Sequence, residues 1–135
     1  MKKDIIIPKS EEVYLVAVQE WNDDFMAKVW NAYLINNRSE SLESVMVVSK
    51  AFGTIEGEMK KSSLLRHAYV EAPAQSAIKI EMITEDVLSL HNEFMLTYFV
   101  GATLFDKKFI FKANSINENA TREVPVLLKN GVLLK

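Results

Sequence analysis

The stretch "SAIKIEM", Ser76 to Met82, sets Ile78, Ile80 and Met82 on one side and Lys79 and Glu81 on the other. A period of two belongs to an extended strand with one buried and one wet face, so Glu81 is expected in water. Outward from there, "VYLVAVQEW" (Val13 to Trp21) mixes β-branched and aromatic residues as a strand covered on both faces does. "NDDF" breaks it, and "KVWNAYLINN" and "SLESVMVVSKAF" follow around a polar turn at Asn36 to Ser41. These two predict a β-hairpin with a loop longer than two residues. Further on, "EFMLTYFVG" and "TLFDKKFIFKA" predict a second hairpin, turning at Gly101 to Thr103 or at Asp106 to Lys108. Phe109 and Phe111 then point one way, and Lys108, Ile110 and Lys112 the other.

Between the hairpins, "GTIEGEMKKSSLLRHAYVEAPAQS" has no clean period. A loop to Ser63, a strand over Leu64 to Val70 and a turn at "EAPAQS" account for it. "TEDVLSLHN" offers Thr84 as an N-cap with Glu85 and Asp86 in the first turn, hence one short helical turn near 84–91. About seven short strands with little helix predict an all-β fold, an antiparallel β-sandwich.

A chain of 135 residues forms one domain and buries roughly two thirds of its unfolded surface. With 16 basic against 18 acidic residues the net charge is −2, which gives no general attraction to phosphates or anionic lipid. Neither nucleic acid nor membrane is expected as a partner. The absence of cysteine removes disulfides, thiol catalysis and thiolate metal sites, and fits a reducing compartment. The opening "MKKDIIIPKSEE" holds only Ile5 to Ile7 as an apolar run, where a signal peptide needs roughly seven residues or more, so a cytoplasmic location is expected.

The segment "YLINNRSESLESVMVV" resembles immunoglobulin-like and fibronectin-like bacterial domains, in which a strand ends in Asn and a polar turn before the next strand. The resemblance implies an immunoglobulin-like sandwich. Over its whole length the chain is also similar to short bacterial proteins labelled phenylalanyl-tRNA synthetase alpha subunit. No stretch matches the arginine-bearing ATP-binding motifs of such a synthetase, so no site residue is carried over.

Candidate chemistry is sparse. His67 and His91 lack metal-ligand spacing, Ser62 and Ser63 sit in no nucleophile elbow, and Gly53 and Gly57 form no phosphate loop. Glu20, Asp23 and Asp24 lack the pattern of a calcium loop. No catalytic residue, metal or cofactor is named. Arg66, His67 and Tyr69 are the one grouping that could bind an anionic ligand, were they to share a groove. Lys107 and Lys108 suit a hairpin turn and discourage edge pairing.

The end of the chain, "VPVLLKNGVLLK", follows the polar stretch "NSINENATRE". The organisation expected is a sandwich over 1–113, a linker or loop over 114–123 and an apolar arm or hairpin over 124–135. Asn130-Gly131 is a strong two-residue turn signal. Val124, Val126, Leu127, Leu128, Val132, Leu133 and Leu134 must be covered, either by the chain's own sheet or by a second protomer. The function expected is a non-catalytic association module that joins a second copy of itself through this arm, or another protein, with the Arg66, His67 and Tyr69 groove as the alternative.

Overall fold

In a computed structural model of the chain, residues 10–135 are described; the run Ile5 to Ile7 lies outside the described residues. The protein is all-β, as expected. Its strands are β1 (Val13–Asn22), β2 (Ala27–Asn36), β3 (Leu42–Ile55), β4 (Glu58–Lys61), β5 (Leu65–Ala72), β6 (Ser76–Ile83), β7 (His91–Val100), β8 (Thr103–Phe111), β9 (Arg122–Glu123) and β10 (Asn130–Leu134). They pack as two antiparallel sheets. The first has the order β6-β2-β1-β10-β9; in the second β3 pairs with β4 and β5 along one edge and with β7 along the other, and β8 follows β7. The helical turn is reduced to a single 3₁₀ turn at Glu85–Val87, where Thr84 makes no side-chain cap. No helix among the described residues is long and apolar enough to cross a membrane.

The core between the sheets is built from alternate residues, among them Leu15, Ala17 and Leu34 from the first sheet and Val45, Val47, Phe94, Leu96, Phe109 and Phe111 from the second. Such interdigitation of two inner faces is what fills a sandwich. Tyr98, fully buried, stacks on Phe105 with centroids 5.1 Å apart and shares a 2.6 Å hydrogen bond with Ser10.

Of the two expected hairpins, the first is corrected and the second stands. β2 and β3 do not pair: β2 lies between β1 and β6 in one sheet, and β3 between β5 and β7 in the other. The polar segment after Asn36 is therefore a crossing between sheets, and the true first hairpin is β1 with β2, closed by the "NDDFM" turn. The "EAPAQS" turn is likewise a corner between sheets. Asn36 secures both, its side-chain amide donating to the carbonyls of Glu40, Ala72 and Pro73 at 2.9, 3.1 and 3.0 Å. In the second hairpin, the turn falls at Gly101, where φ is +59°, and the Lys107-Lys108 pair lies inside a strand rather than in a turn.

The alternation of β6 is also broken. Its register against β2 shifts between Ala32 and Tyr33, so that Ile80 is an extra, bulged residue. A bulge reverses the side on which later residues point. Glu81, opposite the inward Ala32, consequently turns toward the other sheet, and Met82, opposite Asn31, turns away from it.

Candidate functional site

Glu81 reaches across from β6 to the second sheet. Its Oε1 accepts a 2.6 Å hydrogen bond from the Ser49 hydroxyl and lies 2.9 Å from His67 Nε2. Ser49 is buried and His67 half-buried, so the carboxylate ties the two sheets at their open side. Of the expected trio, His67 and Tyr69 share this inner face, and burial together with the charge of Glu81 raises the Tyr69 hydroxyl above its ordinary pKa. Arg66 does not join them. It pairs with Val48 on the outer face, because successive side chains of β5 alternate. No groove gathers all three. Nor does the cluster form a nucleophilic relay: Ser49 and His67 both end on the same oxygen of Glu81, and no hydrogen bond links the imidazole to the serine. Glu81 and Ser49 were beyond sequence reasoning, since the bulge that brings them together has no local signature.

The arm docks on its own domain. β10 pairs with β1 through Leu15↔Leu134, Val16↔Leu133 and Ala17↔Val132. Val132 enters the main core and Leu134 packs against it. Val124, Val126, Leu127 and Leu133 instead cover the outer face of the first sheet over Tyr14, Val16, Val18 and Ile35. Only Leu128, 76% exposed, stays in water. The turn signal at Asn130-Gly131 is corrected: both residues belong to β10, opposite Glu123 and Arg122, and the reversal lies in residues 124–129. Glycine stands at 131 for a non-local reason. A Cβ there would meet Val16 Cγ2 at 2.6 Å and the Ala17 carbonyl oxygen at 2.9 Å. Upstream, Ile116 is buried in the core, which fastens the polar stretch as it crosses from β8 to β9.

The loop of the arm is fastened by charge. Lys129 donates to Glu20 Oε2 at 2.7 Å, while Asn31 and Tyr33 donate to Oε1 at 2.9 and 2.7 Å. Burial alone would lift the Glu20 carboxyl, but the bonds from Lys129, Tyr33 and Asn31 and the Lys129 charge hold its pKa below the ordinary value. Burial and the adjacent carboxylate push the Tyr33 hydroxyl from 10.0 up to about 12. A folded pKa above the unfolded one adds stability that is complete below the unfolded pKa and disappears as pH rises through the folded one. Stability is therefore expected to fall between pH 10 and about 12. Urea midpoints measured at both ends of that window should fall less for Tyr33→Phe than for the parent. The slope does not vanish, because Tyr14, Tyr69 and Tyr98 are raised as well. Equal slopes for the two proteins would refute this role.

Two clefts open along the side of the sandwich. The larger, about 450 Å³, lies between the β1–β2 turn and the 3₁₀ turn and is lined by Phe25, Lys28, Trp30, Met82, Glu85 and Leu88, among others. A smaller one of about 250 Å³ borders Ser49, Glu81 and Asn92.

The second sheet is exposed where the first is covered. Its outer face presents Met46, Val70, Met95, Phe99, Leu104 and Ile110, all exposed, beside a charged group in which Glu93 lies 3.6 Å from Lys50 and 3.7 Å from Lys108. Its outermost strands are β4 and β5 on one side and β8 on the other; β8 is nine residues long and paired with β7 from Val100↔Thr103 to Asn92↔Phe111 without a register shift. The other side of β8 has no strand partner among the described residues. No family model, curated protein or solved structure matches this chain.

Proposed function

We propose that the chain is a non-catalytic association module that pairs with a second copy of itself along the open side of its second sheet, not through its C-terminal arm. The observation that supports this reading is β8, a nine-residue edge strand flanked by exposed Phe99, Leu104 and Ile110. A row of unpaired backbone groups is a template for another strand, and exposed apolar patches rimmed by charge mark interaction surfaces. The first sheet offers less: of its two ends, β9 is two residues long and β6 is broken by the bulge at Ile80, and the apolar side chains of the arm are largely spent on their own domain. Solution mass by light scattering over a concentration series tests the reading. A two-chain mass is expected, and Leu128→Asp, at the exposed tip of the arm, should leave it unchanged. A one-chain mass throughout defeats the proposal, and loss of the dimer in Leu128→Asp would return the interface to the arm.

A further inference from the structure

Resting on that reading, the geometry points to one arrangement of the pair: two β8 strands run antiparallel about a two-fold axis through Lys107, joining the two second sheets into one. Antiparallel pairing of a strand with its own copy keeps inner side chains opposite inner ones only when the axis passes through a residue, because a shift by one residue moves every side chain to the other face. Three axes lie near the middle of β8, at Asp106, Lys107 and Lys108.

They are not equivalent. An axis at Asp106 sets two aspartates against each other, and one at Lys108 does the same with two lysines, both exposed on the outer face. Like charges directly opposite are unfavourable. The axis at Lys107 pairs Asp106 with the Lys108 of the second copy, twice. It also pairs Leu104 with Ile110, both exposed, and Phe105 with Phe109 on the core side. The sequence Leu-Phe-Asp-Lys-Lys-Phe-Ile thus reads as its own complement in charge and in apolar character. Lys107 alone opposes the arrangement, since it meets its own copy on the axis. An inward-leaning charge on an edge strand discourages indiscriminate strand addition. Its amine lies 4.9 Å from the centroid of Phe109, so the side chain lies along its own strand. Lys107→Thr is accordingly expected to tighten the pair by about two- to five-fold.

The decisive experiment uses the full chain in two charge-altered forms, each followed by sedimentation and checked for folding by circular dichroism. In D106K both pairs between positions 106 and 108 become Lys with Lys, and in K108D both become Asp with Asp. Each alone should dimerise about ten-fold or more weakly than the parent. An equal mixture restores both complementary pairs and should form the mixed dimer about as tightly as the parent pairs with itself. Should the lost contact of Lys108 with Glu93 unfold K108D, L104E and I110K test the neighbouring pair: each alone sets a charge against an apolar side chain twice, and their mixture forms one Glu–Lys and one Ile–Leu pair instead. If the parent dimerises but the mixture is no tighter than its components, this register is wrong and the association reading stands. A parent that stays monomeric throughout overturns both.

Discussion

A chain ending at Thr121 does not fold cooperatively. The truncation removes β9, the covering loop and β10 together. Val124, fully buried, and Val132, 7% exposed, leave the structure, as do Val126, Leu127, Leu133 and Leu134, which pack against the two apolar clusters. Burying five or six aliphatic side chains stabilises by roughly 8–15 kcal/mol before ordering costs, which matches the whole stability of an ordinary domain. The loss is compounded by what is uncovered. Tyr14, Val16, Val18 and Ile35 face water across the middle of the first sheet, and β1 becomes a bare apolar edge. Thermal unfolding followed by circular dichroism should show no sigmoidal transition, with aggregation on concentration. A truncated chain melting cooperatively within a few degrees of the parent would refute this account of the arm.

Asn36→Ala should cost about 2–5 kcal/mol, although it removes one small side chain. Asn36 is fully buried, and the two hydrogens of its amide are shared among the carbonyls of Glu40, Ala72 and Pro73, while its Oδ1 accepts from the Arg38 N–H at 3.0 Å. Alanine removes a partner from each of these backbone groups; the Pro73 carbonyl keeps the Ser76 hydroxyl at 2.6 Å, and each of the others left unpaired and out of reach of water costs about 1–3 kcal/mol. In a domain of this size the melting midpoint should drop by roughly 10 °C or more. Asn36→Asp is the sharper test. It preserves shape but turns a carboxylate toward three acceptors, so it should be at least as destabilising as alanine. Midpoints within two or three degrees of the parent for both variants would sink the argument.

The strands themselves were legible because their period is local: β1, β2, β6, β7 and β8 all stand where alternation and β-branched runs place them. Their partners were not. Whether the polar turn after Asn36 folds β3 back on β2 or carries it to the other sheet depends on which remote strands cover each, and the turn residues suit both. β4 was invisible for a related reason. Glu58, Met59, Lys60 and Lys61 are all exposed and show no apolar period, and they are extended only because they pair with residues 52–55 of β3. Glu81 was placed on the wrong side by a single bulged residue, Ile80. Gly131 misled because glycine has two uses, freedom of φ and absence of a side chain, and here only the second applies. Arg66, His67 and Tyr69 looked like neighbours in the chain, which in a strand is the reason they cannot all face one way. The apolar tail was readable as something that must be covered, and only its partners β1 and β2 identify the cover.

The pairing of Leu15 with Leu134 bears on how the chain is made. During synthesis β10 emerges long after its neighbour β1, Leu134 lying 119 residues beyond Leu15 (134 − 15), so the first sheet cannot close until that whole interval has been translated. Contacts between such distant positions carry a loop-closure cost before they return any stability, and folds dominated by them are slow to form. The second sheet, by contrast, assembles from β3 to β8 in the interval. The nascent chain thus carries an exposed Val13–Val18 edge through that interval, the period in which a chaperone that holds extended apolar segments would act on it.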